Sequence, residues 1–269
     1  MKISLTNEQY HADTEFVTSS MLKTLAKSPR LYEAKYIKGK VIDGPKQAFK
    51  VGNAVHAAAL EPEEFAKDYV ITDLDMRKKE GRDFAKENAG KTILKGQEAE
   101  TVRECVASLL RNPICSKLIE ADGLVEDSVF HEDEATGVKV KCRCDKFIPK
   151  TNVVFDIKTT ASWDNRRAAQ NFHDLGYHIQ QAHYTSILAE KRGVPLSEFR
   201  MVFGVVEKVV PYRCRAVELS AEFAELGHDI RNDLLIDLKD RVAEDIWCDD
   251  DEFGLLELEL PRYVSLVGE

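Results

Sequence analysis

The sequence has no run of about 18 apolar residues, so no membrane-spanning helix is expected. Its first residues, MKISLTNEQYHADTEF, lack the apolar stretch of a secretory leader, and the expected location is the cytoplasm. No C-x-x-C pair occurs among the 6 cysteines, Cys105, Cys115, Cys142, Cys144, Cys214 and Cys248. Cys142 and Cys144 lie two apart in an expected strand. They share a face and make a poor zinc pair without further ligands, so reduced, structural cysteines are expected. Internal repeats and low-complexity tracts are absent too. At 269 residues and 43% hydrophobic content, the chain suits one sizeable domain or a domain with a small extension.

An excess of basic charge is also missing, since the net charge is −9. Its distribution matters more than its sum. From Ala216 onward 16 acidic residues face 4 basic ones, whereas the first 215 residues hold 31 acidic and 34 basic. A mildly basic body carries an acidic end, so the acidic total does not exclude a nucleic-acid partner. The run DDDE at 249–252 reads as a solvated segment or an interaction tail. The expected division is a domain over 1–245 and an acidic C-terminal extension over 246–269.

The segment 19–37 opens on serines suited to an N-cap and reads as helix, broken near Pro29. Residues 38–50 form a basic loop. VGNAVHAAAL reads as a helix stopped by Pro62, 75–91 as charged and turn-rich, and 96–111 as a helix ended by Pro113. The middle of the chain then switches to strand alternation. LVEDSVFHE and VKVKCRCDKF flank the turn DEATG as a hairpin, and NVVFDIKTT is the next strand. A helix over 177–193 closes on Gly193, and 199–219 gives two more strands. Ser220 caps a long helix with Phe223, Leu226, Ile230, Leu234, Leu238 and Val242 on one stripe. This order implies an α/β (α+β) fold with a mixed or antiparallel sheet flanked by helices.

The chemistry concentrates in CRCDKFIPKTNVVFDIKTT, residues 142–160. Side chains alternate along a strand, so Asp156 and Lys158 share one face while Phe155, Ile157 and Thr159 share the other. Burying both charges costs several kcal/mol per ion unless they pair or meet a metal. The hairpin brings Asp145 beside Asp156. Two close carboxylates repel, and a divalent cation removes the conflict. Hard oxygen ligands suit Mg²⁺, with Mn²⁺ as a substitute. On these residues alone, a strand-edge salt bridge between Asp156 and Lys158 is the alternative reading.

The pattern D-x10-D-x-K on a hairpin resembles the PD-(D/E)xK nuclease superfamily, in the branch with RecB-type, lambda-type and RecE-type exonucleases. GNAVH at 52–56 is similar to that branch's G-x-x-x-H helix. Gln180 and Tyr184 match its Q-x-x-x-Y, and are i and i+4 on one helix face. VTSSML at 17–22 resembles its T-A-S stretch. The N-terminal SSMLKTLAKSPRLYEAKYI, the GNAVHAAALEPEEF helix and LPRY at 260–263 look most like the RecE (exodeoxyribonuclease VIII) family. The resemblance runs over roughly residues 15–265.

It implies a PD-(D/E)xK core with a central mixed sheet. It also implies a Mg²⁺-dependent 5′→3′ exonuclease that degrades linear double-stranded DNA to 5′-mononucleotides and leaves a 3′ overhang for recombination or repair. Catalysis would fall to Asp145, Asp156, Lys158, Gln180 and Tyr184. The metal would be held by His56, Asp145, Asp156 and the backbone carbonyl of Ile157. Glu126 matches an upstream acidic position, with an exposed strand carboxylate as the equal alternative. DNA contacts would come from Thr18, Ser20, Arg77, Lys78, Lys79 and Arg82, with Lys38, Lys40, Lys46 and Lys50 beside them; a solvated charged loop is the other reading. Implied partners are DNA ends, further copies in a ring, and a single-strand annealing protein. The rival readings are an endonuclease of the same superfamily and a non-catalytic DNA-end-binding scaffold.

Overall fold

In a computed structural model, the structure describes residues 5–41, 49–249, 255 and 257. The elements run α1 (Asn7–Ala12), α2 (Ser19–Lys27), α3 (Pro29–Tyr32), α4 (Lys50–Leu60), α5 (Pro62–Asp68), β1 (Tyr69–Ile71), α6 (Lys79–Glu87), β2 (Thr92–Leu94), α7 (Gly96–Arg111) and α8 (Pro113–Glu120). They continue as β3 (Leu124–Glu132), β4 (Lys139–Ile148), β5 (Val153–Thr160), α9 (Ala168–Asp174), α10 (Tyr177–Arg192), β6 (Arg200–Glu207), β7 (Cys214–Val217) and α11 (Ala221–Glu244). No helix among the described residues is long and apolar enough to cross a membrane.

Local chemistry sets most of the boundaries. Thr18 caps α2, its hydroxyl accepting from the Met21 amide at 3.2 Å. Ser28 closes that helix and caps α3, whose first residue is Pro29. Asn112 and Pro113 play the same parts for α8. Gly193, at φ +62, ends α10 in the left-handed region. The stretch 75–91, expected as turns, contains α6, and β1 and β2 add a small parallel ladder. Dense charge signals solvent exposure, and it is equally compatible with an exposed helix of Lys, Glu and Ala.

The main sheet has the order β3-β4-β5-β6-β7. Every neighbouring pair is antiparallel except β5 and β6, whose parallel pairing needs a crossover, supplied by α9 and α10. The first five residues of β5 are buried, as suits a central strand covered on both faces. One core layer joins Val154, Phe203 and the apolar residues of α2, α10 and α11. The other joins Phe155, Ile157, Val202 and those of α4, α7 and α8. The fold is thus a mixed α/β sandwich with helices on both faces.

Two features of α11 depart from the stripe. Leu226 is 42% and Val242 61% exposed, while Gly227, Arg231, Leu235 and Leu238 are buried. At Gly227 a β-carbon would lie 2.5 Å from the carbonyl oxygen of His178, so close approach of α10 claims that position. Arg231 turns inward because a buried carboxylate, Asp133, waits 2.6 Å away. The domain boundary expected after residue 245 falls just past the end of α11. Trp247 nevertheless stacks on Tyr32 with ring centres 5.7 Å apart. Asp249 accepts from the Ser28 hydroxyl at 2.8 Å and the Arg30 amide at 3.1 Å. Lys46, residues 250–252 and LPRY lie outside the described residues.

Candidate active site

The antiparallel register pairs Lys146 with Phe155, which sets Asp145 opposite Asp156. The ladder stops there. Upstream, β4 instead accepts a parallel bridge from Val17 to Val140, so the sheet splits at Asp145. The Asp145 side chain fills the missing rung: its Oδ2 accepts from the Ile157 amide at 2.7 Å. On the other side, Val125 pairs with Lys146 and Asp127 with Cys144, with no rung between Glu126 and Asp145. Glu126 has φ +47, a left-handed conformation that breaks the rung and costs on the order of 1–3 kcal/mol. Three carboxylates therefore occupy neighbouring positions across three strands.

From α4, His56 reaches in, with Nδ1 3.0 Å from Asp145 Oδ2. Ligand atoms of His56, Glu126 and Asp145 all lie within 4.8 Å of one another. Asp156 belongs to an adjoining pair. Its Oδ2 lies 2.7 Å from Lys158 Nζ, and its Oδ1 accepts from Gln180 Nε2 at 2.7 Å. Tyr184, one turn beyond Gln180 on α10, is close enough to Asp156 that burial and this carboxylate hold its phenol well above its ordinary range. The Lys158 ammonium lies over the Tyr177 ring, 4.9 Å from its centre.

Electrostatics separates the acids. Burial and the charge of Asp145 push Glu126 up to about 7. Burial and Asp145 also raise Asp156. Burial opposes ionisation of Asp145, but His56, Lys158 and the Ile157 amide outweigh it and hold its carboxyl low. Burial disfavours charge on His56, yet contact with Asp145 raises it overall. Opposed shifts among neighbouring acids make this cluster a candidate functional site. Two carboxylates and an imidazole converging, with one acid kept high by its neighbour, form a donor set that fits a divalent cation.

Residues 18–249 match the family described as a PDDEXK-like domain of unknown function (DUF3799). The chain belongs to that family. No curated protein matches it. Among solved structures it is similar to a candidate exonuclease from Eubacterium rectale, at 17% identity and a TM-score of 0.64, covering 96% of this chain and 97% of that one. A phage-related exonuclease from Haemophilus somnus 129PT aligns at 13% identity and a TM-score of 0.38, over 86% and 96% of the two chains. At 17% identity the first likeness speaks to the fold alone.

Within this PDDEXK-like domain, Asp145, Asp156, Ile157, Lys158, Gln180, Tyr184, His56 and Glu126 come together. The tightest donor group is narrower than the expected ligand set, because Asp156 is engaged by Lys158 and Gln180. Of Ile157, the amide is committed to Asp145. The expected DNA contacts divide. The Thr18 hydroxyl is used as a helix cap, and Ser20 is exposed, its carbonyl accepting from Thr24. Arg77, Lys78, Lys79 and Arg82 are exposed at the start of α6, where Arg82 donates to the Arg77 carbonyl at 2.8 Å. None of the four hydrogen-bonds the carboxylate cluster. Lys50 is drawn to Glu98 at 2.5 Å.

Proposed function

We propose that this PDDEXK-like domain is a metal-dependent deoxyribonuclease of the RecE-like kind, acting as a 5′→3′ exonuclease on linear double-stranded DNA. The observation that carries this reading is the meeting of His56, Glu126 and Asp145 beside the Asp156–Lys158 pair at the split of the sheet. His56, Glu126 and Asp145 would hold Mg²⁺, or Mn²⁺ in its place, with Asp156 beside them. A cation there would polarise a phosphoryl oxygen and acidify water. Lys158, fixed against Asp156, positions the attacking water and balances charge growing on the phosphoryl oxygens. Gln180 keeps Asp156 in one orientation. Water adds to phosphorus as the bond to the 3′ oxygen breaks, leaving a 5′-phosphate and a 3′-hydroxyl. Assembly into a ring around DNA and work beside a single-strand annealing protein complete the proposal.

The test is digestion of one plasmid in linear and covalently closed forms, with Mg²⁺ or EDTA, with labelled 5′ ends and Lys158→Ala alongside. Loss of the linear form alone, stopped by EDTA and by Lys158→Ala, with early release of the label, supports the reading. Cutting of the closed circle moves it to an endonuclease. End binding without cleavage under any divalent metal leaves a scaffold.

A further inference from the structure

A second lysine stands beside the site without a part in the chemistry above. Lys23 projects from α2 toward the junction of α9 and α10, with Nζ 3.4 Å from the Leu175 carbonyl oxygen and 5.9 Å from the centre of the Tyr177 ring. Lys158 lies 4.9 Å from the centre of that same ring. One aromatic ring therefore carries two ammoniums. The slot for Lys23 is shaped for it. Gly176, at φ +64, lies under its stem, and a β-carbon there would come within 2.4 Å of Lys23 Cδ and 2.8 Å of Cγ.

Asp156 favours the charge on Lys23, but from beyond ion-pair distance. Among the described residues no carboxylate lies within ion-pair distance of Lys23, and Asp156 is already held by Lys158 and Gln180. Burial and the like charge of Lys158 lower the Lys23 ammonium to about 8. An ammonium without an ion-pair partner, sharing one ring with the Asp156-paired Lys158 beside a carboxylate cluster, is placed for an anion that spans both. A polynucleotide strand offers that anion, because its phosphates repeat along one backbone. An ammonium is a compact point charge without directional demands, which suits contact that ignores sequence.

We propose that Lys23 is a substrate-binding residue that takes the phosphate adjoining the one at Lys158, so that the site recognises a strand and not a single phosphodiester. The inference rests on the nuclease reading for its setting, and its first readout is binding. A labelled duplex is titrated by fluorescence anisotropy with Ca²⁺ in place of Mg²⁺, across a salt series. Lys23→Gln, which keeps the stem over Gly176, is expected to weaken binding about three- to tenfold at every sequence and to lower the log–log salt slope by about 1. Lys23→Arg keeps the slope. On linear DNA, Lys23→Gln raises KM and leaves kcat within about twofold, as loss of uniform binding requires. Bis(p-nitrophenyl) phosphate, which has no adjoining phosphate for Lys23 to take, is hydrolysed by Lys23→Gln at the wild-type rate.

An unchanged affinity and slope in Lys23→Gln overturns the inference. So does an equal loss on DNA and on the small diester, which would make Lys23 a support of the site's shape. A wild type that binds DNA with the Lys23-dependent slope and never cleaves sinks the nuclease reading while this inference stands. A wild type that binds no DNA overturns both.

Discussion

Gln180 on α10 donates its side-chain amide to Oδ1 of Asp156 on β5 at 2.7 Å, while Lys158 takes the other oxygen at 2.7 Å. Asp156 is 1% exposed, so its orientation depends on these two partners. Partners that orient a carboxylate beside a metal site typically change metal affinity 10- to 100-fold when removed. Gln180→Ala is expected to raise the Mn²⁺ concentration for half-maximal activity by about 10-fold or more, with little change in Tm without metal. Lys158→Ala is expected to lower kcat at least about 100-fold with metal affinity largely kept. Metal titrations of both variants, followed by calorimetry and by rate, distinguish the two roles.

Glu126 gives a second test. It is held near Asp145 in a strained backbone conformation, and burial and that charge push its carboxyl up to about 7. Its folded value lies above its unfolded one. Without metal it therefore costs the fold stability as pH rises from about 4.5 through about 7, and the cost is complete above that. Glu126→Gln removes the repelling charge. The expected outcome at pH 8 in EDTA is a higher Tm than wild type, with a smaller rise in Tm on adding Mn²⁺. A lower Tm in EDTA, or an equal gain with Mn²⁺, would refute the placement of Glu126 in the metal group.

Much of this site could be read from the sequence because strands impose simple rules. Alternation placed Asp156 and Lys158 on one face, and the hairpin length set Asp145 opposite Asp156. The same register sets Glu126 opposite Asp145, but its left-handed conformation has no signature in LVEDSVF. His56 needed the family pattern, since nothing in VGNAVHAAAL says which strand the helix will meet. Lys23 and the inward turn of Arg231 were hidden for another reason. Both depend on contacts between elements far apart in the chain, and a long basic side chain reads as solvated until its neighbours are placed.

The fold also carries a built-in acid sensitivity. His183 is fully buried on α10, and its Nε2–H donates to the carbonyls of Val17 at 3.2 Å and Lys141 at 3.1 Å. It thereby ties the Val17 bridge to β4 at the split of the sheet. Burial, then the nearby Arg231, lower it to about 3, against the partial opposition of those two carbonyls and Asp133. The unfolded chain takes up the proton near pH 6.5 and the folded one does not, so stability is intact above 6.5 and falls as pH drops toward 3. The limiting slope is about 1.4 kcal/mol per pH unit from this one group. Buried His178 and half-buried His228 are lowered in the same direction. Urea midpoints of wild type and His183→Gln between pH 8 and pH 5 check this: the variant is weaker at pH 8 and loses less on acidification.

The pair that holds α11 to the β3–β4 turn gives the largest expected effect on stability. Arg231 and Asp133 lie 2.6 Å apart with side chains 4% and 1% exposed. Asp133 Oδ1 also accepts from the Thr136 hydroxyl at 2.7 Å and its amide at 3.0 Å. Together these partners overcome burial and keep the carboxyl below its ordinary range. Removing one partner strands the other's charge in the interior, which costs about 3–5 kcal/mol. Asp133→Ala should therefore lower stability by that amount, and Arg231→Met alone by a similar one. The double variant Asp133→Ala, Arg231→Met should lose much less than the sum, because no lone charge remains. Additive losses in chemical denaturation would mean that the pair stabilises the fold through separate contacts, with the turn and the helix held independently.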